Sequence, residues 1–202
     1  MHLELEQTDK ENITKSILEK YAKASVSMDG SFRYPTGAPA LKKLGYEEAI
    51  LSLLPESVQA VYCGVGNPFS LGAIDPGMAV IDIGCGAGVD TLIAALMVGP
   101  GGKAVGIDMT PEMIERANEN LNQMGLPNVS FHQASAENLD FSPESFDVAI
   151  SNGALNLVVN KEQALAEIYR VLKPGGRLMV ADQVLVGEPP QSKKGIVDSW
   201  YR

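Results

Sequence analysis

The 202-residue sequence has few residues that support metal, disulfide or nucleic-acid chemistry. Its two histidines and two cysteines, Cys63 and Cys85, are not spaced as metal ligands, and no disulfide is expected in a reducing compartment. Lys and Arg total 16 against 25 Asp and Glu, a net charge of −9 without a basic cluster, which argues against a nucleic-acid partner. No apolar run reaches the roughly eighteen residues of a membrane span, and the acidic N-terminus is unlike a signal peptide. We therefore expect a cytoplasmic protein that has no membrane partner and acts on a small molecule.

The sequence has an ordinary globular composition, 45% hydrophobic and 20% charged, in which strand and helix patterns alternate. Strands are predicted at 78–83, 103–107, 128–133, 146–151 and 177–182, and helices between them at 89–98, 111–125 and 161–172. This alternation predicts an α/β fold with a parallel sheet, right-handed crossovers and helices on both faces. We divide the chain into a helical cap and lead-in, residues 1–75, and a sheet domain, residues 76–202.

The predicted cap begins with an amphipathic helix at 10–28, in which Tyr21 lies on the apolar face. This helix either packs on the sheet or forms a lid over a ligand that Tyr21 touches. A Gly- and Pro-rich loop is predicted at 29–39, and one or two short helices, broken at Pro55, follow it.

The most informative motif is VIDIGCGAG, residues 80–88, followed twenty residues after Gly88 by Asp108. In a dinucleotide fingerprint the third glycine would stand at position 89, which is Val89, and this disfavours a nicotinamide oxidoreductase. The alternate spacing instead predicts a turn of bare backbone, which suits an amino-acid chain better than a pyrophosphate. Asp108 offers two acceptor oxygens to ribose hydroxyls, and Asp82 either holds the turn or binds a ligand ammonium group. The motif therefore predicts an adenosyl cofactor.

Three further segments follow in order: GIDMTPEMIERA (106–117), ASAENL (134–139) and RVLKPGGRLMV (170–180). With these segments the chain resembles the class I S-adenosylmethionine-dependent methyltransferases. The resemblance implies a Rossmann-like sheet with strand order 3-2-1-4-5, an N-terminal helical lid and S-adenosyl-L-methionine as cofactor. The cofactor-binding residues that we predict are Asp82, Gly84, Cys85, Gly86, Gly88, Asp108, Met109, Ala136, Glu137 and Ser151.

Polar residues at the ends of the fourth and fifth predicted strands indicate where the methyl acceptor would bind. Ligands of open α/β sheets lie beyond the carboxyl ends of the strands. We predict that Asn152 and Asn156 contact the substrate, with the alternative that these amides only satisfy backbone groups. Asp182 is the one candidate for a catalytic base.

Three stretches, 66–90, 98–113 and 151–178, resemble the arsenite methyltransferase branch in particular. That branch binds trivalent arsenic through cysteine thiolates, and two of its cysteine positions correspond to Val65 and Gly153 here. We therefore predict a methyltransferase whose small-molecule acceptor is unidentified. The alternatives are an arsenite methyltransferase with an altered thiol site and a catalytically silent S-adenosylmethionine-binding protein.

The residues after the fifth predicted strand are too few for the sixth and seventh strands that the resemblance implies. We expect either that the chain is a form truncated after the fifth strand or that its sheet ends at an exposed edge. Because an uncovered edge strand can pair with another chain, a homodimer through the fifth strand is a further hypothesis.

Overall fold

A computed structural model describes residues 6–28, 30–184, 186–187 and 195. Five parallel strands form one sheet in the order β3-β2-β1-β4-β5, which confirms the predicted fold class and strand order. The strands are β1 (Ala79–Ile83), β2 (Lys103–Asp108), β3 (Val129–Gln133), β4 (Phe146–Asn152) and β5 (Leu172–Ala181). The order reverses at β1, which lies between β2 and β4, and in such sheets ligands bind at this point.

Helices cover both faces of the sheet, as predicted. Val80 packs with Ala94 of α5 (Val89–Val98), whereas Ile81 packs with Ile168 of α7 (Lys161–Val171) on the opposite face. Neighbouring side chains of a strand point to opposite faces, so burial on both faces explains why β1 is almost wholly apolar. The third helix between strands is α6 (Pro111–Met124).

The first helix, α1 (Gln7–Val26), lies against α6 and also reaches the cavity described below. Its first turn is stabilised by a capping box, in which the Glu6 backbone N–H donates to the Asp9 carboxylate at 3.1 Å. Its buried apolar side chains are Ile13, Ile17 and Ala24. The helix therefore packs against the sheet domain and covers the cavity at once, so the two uses considered for it are not exclusive.

Three short helices, α2 (Gly37–Lys43), α3 (Glu48–Leu51) and α4 (Glu56–Gln59), complete the N-terminal part. Pro55 separates α3 from α4, in agreement with the prediction of a break there. Leu41 and Val58 share one hydrophobic cluster with Leu92 of α5. Residues on both sides of the predicted 75/76 boundary therefore contribute to a common core.

Several predicted boundaries differ from the structure: α1 begins at Gln7 rather than at residue 10, and the contacts that explain the difference are visible for α2 and β5. Helix α2 begins at Gly37, inside the predicted 29–39 loop, where the Gly37 N–H donates to the Tyr62 carbonyl at 2.7 Å and anchors the segment. Strand β5 begins at Leu172 rather than at 177, because Leu172 pairs with Phe146 before an irregularity shifts the register to Arg177. Helix α7 consequently ends at Val171.

In the described part of the chain, β3 and β5 are the edge strands of the sheet. The segment in which a sixth and a seventh strand were considered lies largely outside the described residues, and a homodimer through β5 remains a prediction. Among the helices of residues 6–28 and 30–184, none has both the length and the apolar character that crossing a bilayer requires.

Candidate functional site

A cavity of about 360 Å³ lies at the carboxyl ends of the strands, where the strand order reverses between β2 and β4. This is the position at which ligands of such sheets bind. Its volume is within the range of small-molecule sites, about 300–1,000 Å³. One wall is formed by the turn after β1, the end of β2 and residues 134–137. A second part of the lining, which we call the loop wall, consists of Cys63, Gly64, Asn152, Gly153 and Ala154. Thr14, Ile17 and Tyr21 of α1 also line the cavity.

The glycine turn after β1 is built as a cradle of bare backbone. Gly84 and Gly86 line the cavity at φ +74° and +51°, and a Cβ on Gly84 would lie 2.3 Å from the Ala154 Cβ. The N–H groups of Gly84 and Cys85 donate to the Ile107 carbonyl at 2.9 and 2.8 Å, which fixes the turn against β2. Any side chain at Gly84 would therefore push the loop wall away from the turn.

Gly88, predicted to contact cofactor, does not line the cavity. It stands at the start of α5 with φ +82°, and a Cβ there would lie 2.5 Å from the Phe131 ring. Its role in this structure is to let α5 approach the sheet closely.

Asp108 closes the end of β2 beside the turn. Its carboxylate accepts the N–H of Gly86 at 2.9 Å and that of Thr110 at 2.8 Å, one on each oxygen. Burial raises the pKa of Asp108, and these N–H groups oppose that rise. Asp108 itself lines the cavity. Met109 follows it in the cavity lining.

Asp82 is buried at the end of β1 and accepts the Thr91 hydroxyl at 2.6 Å. Burial raises its pKa well above that of a free Asp, and the negative charge of nearby Asp90 raises it further. Asp82 lines the cavity as predicted, and its contact with Thr91 also ties the turn to α5.

Asp90 is a second buried acid at the cavity besides Asp82, and the sequence pattern did not predict it. Its carboxylate accepts the Tyr46 hydroxyl at 2.8 Å and an Asn152 side-chain N–H at 2.9 Å. Burial raises its pKa to about 6, although both of these hydrogen bonds lower it. The available signal was an acid directly after the glycine turn, but in the first turn of a helix an acid is also explained by the helix dipole.

Residues 134–137, where adenine contacts were predicted, line the cavity with Ala136 and Glu137 among them. One Glu137 oxygen accepts the Asn160 N–H at 3.0 Å, at the start of α7. The Ser135 hydroxyl accepts the Glu137 N–H at 3.2 Å. The segment is thus held by local hydrogen bonds, and the second Glu137 oxygen has the capacity to accept from a ligand.

Three predicted site residues do not line the cavity. Ser151 is wholly buried, and its hydroxyl donates to the Ile83 carbonyl at 3.0 Å, which joins β4 to β1. Asp182 accepts the N–H groups of Asn156 at 2.8 Å and of Gln183 at 2.7 Å, so its carboxylate fixes the chain after β4 and β5. Asn156 contributes its backbone to that contact. The structure therefore gives Ser151, Asn156 and Asp182 supporting positions and does not bring Asp182 to the site as a base.

Both cysteines line the cavity, Cys63 in the loop wall and Cys85 in the glycine turn. Burial raises the pKa of Cys63 to about 12 and also raises that of Cys85, so both are thiols at neutral pH. Val65 fills the space beside Gly153: a Cβ on Gly153 would lie 3.2 Å from a Val65 methyl group. With φ +73°, position 153 also has a backbone conformation that favours glycine.

The ionisable groups around the cavity are acidic. Asp82, Asp90, Asp108 and Glu137 line it, and the described lining residues include no Lys, Arg or His. Groups able to bind a metal do not cluster in the described residues either. An anionic ligand such as a pyrophosphate would be repelled here, whereas a cationic ligand would be attracted.

Comparison with known proteins identifies the class of protein that has this fold and this acidic, glycine-lined cavity. A family model described as a methyltransferase domain matches residues 74–199, and the chain belongs to this family. The resemblance found in the sequence is therefore confirmed.

Individual relatives are similar over most of this chain but extend beyond it. An arsenite methyltransferase of Halobacterium salinarum is 38% identical over 164 residues, 81% of this chain and 42% of the relative. The solved arsenic(III) S-adenosylmethionine methyltransferase of Chlamydomonas reinhardtii is 36% identical with a TM-score of 0.61, covering 74% of this chain and 50% of that one. A ubiquinone/menaquinone biosynthesis C-methyltransferase of Ectopseudomonas mendocina is 40% identical over 124 residues, 61% of this chain and 48% of the relative. The chain thus spans half or less of the length of these relatives.

Proposed function

We propose that this chain binds S-adenosyl-L-methionine and transfers its methyl group to a small-molecule acceptor. The observation on which this rests is the cavity whose lining has four carboxyl groups and no cationic side chain. The sulfonium and ammonium groups of this cofactor are positive, so the lining complements it and opposes a nicotinamide dinucleotide with its two phosphates. Family membership and the named activities of the relatives support the same proposal.

The residues present fit the cofactor. The bare backbone of Gly84 and Gly86 leaves room that a Cβ at Gly84 would fill, and Asp82 and Asp90 provide buried negative charge beside it. Asp108, which lines the cavity next to the apolar side chain of Met109, is the acceptor that we assign to the ribose hydroxyls. Ala136 and Glu137 provide an apolar contact and an acceptor for the base.

When bound, the cofactor supplies an electrophilic methyl group whose transfer leaves a neutral thioether. The chain's contribution is to hold acceptor and methyl group together and to exclude water, since proximity alone lowers such barriers substantially. Helix α1 lines the cavity through Ile17 and Tyr21, and the loop wall lines it next to the glycine turn, where Ala154 lies close to Gly84. We assign the acceptor to the space along the loop wall.

Calorimetric titration with S-adenosyl-L-methionine, with NADH as the comparison, tests the cofactor assignment. We expect binding of the first and none of the second; the reverse result would restore the nicotinamide oxidoreductase. Formation of S-adenosyl-L-homocysteine is then measured with phenolic, amine, thiol and carbon acceptors. Tight cofactor binding without product from any of them would favour the silent binding protein.

Arsenite is the second candidate acceptor, favoured by the named activities of two relatives. The residues at the site oppose it, because Val65 and Gly153 provide no thiol and Cys63 is a protonated, isolated thiol. We expect incubation with arsenite, glutathione and S-adenosyl-L-methionine to give no more methylated arsenic than a reaction without the protein. Methylated arsenic above that background would make arsenite the acceptor.

A further inference from the structure

We propose that Asn152 is a positioning residue that, with Tyr46, Tyr62 and Asp90, holds the loop wall against the sheet. The sequence analysis offered Asn152 as a substrate contact, with backbone satisfaction as the alternative. The observed contacts support the alternative, and they identify the protein groups that the amide bonds. The part of the proposal that concerns catalysis rests on the function proposed above, and the structural part does not.

The Asn152 side chain is fully committed to protein partners. Its Oδ1 accepts the N–H groups of Val65 at 2.8 Å and of Gly66 at 3.1 Å, which uses both lone pairs of the oxygen. Its Nδ2 donates to the Gly66 carbonyl at 2.8 Å and to an Asp90 oxygen at 2.9 Å. A flipped amide would place the oxygen against a carbonyl and a carboxylate, so these partners also fix its orientation. No donor or acceptor remains for a substrate.

Two buried tyrosines complete the arrangement from the N-terminal part of the chain. The Tyr62 hydroxyl donates to the Gly66 carbonyl at 2.7 Å, and the Tyr46 hydroxyl donates to Asp90 at 2.8 Å. The two hydroxyl oxygens are 3.1 Å apart. Segment 62–66, the end of β4 and the first turn of α5 are thereby joined by hydrogen bonds in a buried setting, where breaking one leaves an unpaired polar group.

The arrangement matters for the cavity because it connects the two parts of the loop wall. Cys63 and Gly64 come from segment 62–66, whereas Gly153 and Ala154 follow β4, and Asn152 bonds the first part to the second. The fit is close: a Cβ on Gly64 would lie 2.3 Å from the Asn152 Nδ2 and 2.4 Å from the Tyr62 hydroxyl. Without Asn152, segment 62–66 would lose its hydrogen bonds to β4 and the acceptor side of the cavity would lose its shape.

The two cysteines allow a test that does not depend on any activity. Cys63 lies in the loop wall and Cys85 in the glycine turn, which is held by Ile107 and not by Asn152. We expect Asn152→Ala to increase the rate of Cys63 alkylation by iodoacetamide about tenfold, since its three hydrogen bonds to the backbone of segment 62–66 are lost. The rate of Cys85 alkylation should change by less than about threefold. Mass spectrometry of the labelled peptides distinguishes the two sites.

Hydrogen exchange provides the second measurement on the same variant. The amides of Val65 and Gly66 should exchange faster, while those of Gly84 and Cys85, which donate to Ile107, keep their rates. Asn118→Ala is the matched control, because that exposed amide bonds only its own helix at Ile114 and lies outside the cavity. Gly64→Ala, which crowds the arrangement without deleting a hydrogen bond, should also expose Cys63 and serves if Asn152→Ala does not fold.

Equal acceleration at Cys63 and Cys85, or at all four amides, would show a general loss of stability and overturn the proposal. Unchanged rates at Cys63, Val65 and Gly66 would overturn it as well. For any acceptor methylated by the wild-type protein, Asn152→Ala should raise the acceptor KM about tenfold, in line with the lost hydrogen bonds. If Cys63 is labelled faster but the acceptor KM is unchanged, only the part of the proposal that concerns catalysis is overturned. If the protein transfers no methyl group at all, the labelling result still tests the structural part.

Discussion

Asp90 has a carboxyl group whose ionisation should control the affinity of the cavity for a cation. Burial raises its pKa to about 6, so its negative charge is lost as the pH falls below that value. At pH 5 about one tenth of such groups remain ionised. We predict that the affinity for S-adenosyl-L-methionine, measured by calorimetry, falls about tenfold between pH 8 and pH 5.

Asp90→Asn should bind the cofactor about tenfold or more weakly at pH 8, since a charged hydrogen-bonding group adds about 1.5–3 kcal/mol. It should also lose most of the dependence on pH between 5 and 8. Asp140→Asn, a change at an exposed acid outside the cavity, is the control and should retain the wild-type profile. If the Asp90 variant keeps the full pH dependence, another lining acid is responsible.

At the same scale, the sequence could predict those site residues whose roles follow from local spacing. Asp82, Gly84, Gly86 and Asp108 all line the cavity, and the sequence could place them together because a strand, a turn and the next strand fix their positions within thirty residues of one another. Asp90 was missed because its partner Tyr46 is 44 residues away, and Asn152 lies 106 residues from the same tyrosine. Such contacts depend on how the N-terminal part packs on the sheet, which no local pattern encodes.

At the scale of elements, the approach of α5 to the sheet depends on Gly88. We predict that Gly88→Ala lowers the free energy of unfolding by about 2–4 kcal/mol, the sum of a left-handed backbone penalty and overpacking against Phe131. Gly125→Ala is the matched control, because Gly125 at the end of α6 has φ +61° but nothing within 4 Å of an added Cβ. It should cost only the backbone part, about 1–2 kcal/mol. Equal losses in urea unfolding would show that the contact with Phe131 is unimportant.

Element boundaries show where pattern and packing diverge. The strands β1 to β4 were predicted to within one residue, because strands that are buried on their inner positions leave a clear apolar pattern. The early start of β5 was missed, since Pro174, Gly175 and Gly176 read as a turn although Leu172 still pairs with Phe146. The start of α2 at Gly37 was missed for a similar reason, because its anchor is the carbonyl of Tyr62.

For the whole molecule, the ionisable groups divide into two sets that act on stability in opposite directions. Burial raises the pKa values of Asp82, Asp90 and Asp108, so the folded protein binds more protons than the unfolded chain as the pH falls below neutrality. Stability therefore increases as the pH falls through this range, starting near 6 for Asp90. This gain in stability is complete at pH values below the ordinary pKa of a carboxyl group, about 4.

The second set stabilises the fold only while it is ionised. Hydrogen bonds from Arg170 lower the pKa of Glu167 to about 2, and Arg170 also binds the carbonyls of Leu139 and Phe141, which ties α7 to the loop before β4. The folded protein resists protonation of Glu167, so this stability is present above a pH of about 4.5 and is lost as the pH falls toward 2. Asp147, bonded to Lys173 and to the Ala79 N–H, has a lowered pKa and acts in the same direction.

The two sets together predict that the ligand-free protein is most stable in mildly acidic solution, at a pH of about 4–6, rather than at neutrality. Urea unfolding measured from pH 3 to pH 8 should show this maximum. Asp90→Asn should weaken the dependence of stability on pH on the neutral side of this maximum, and Glu167→Gln should weaken it on the acidic side. Each variant removes one group from one set. Bound S-adenosyl-L-methionine should raise the free energy of unfolding at neutral pH, since its cationic groups offset the cost of keeping the buried acids ionised. Stability that decreases steadily from pH 8 to pH 5 without ligand would contradict the assignment of buried, destabilising charge to the cavity.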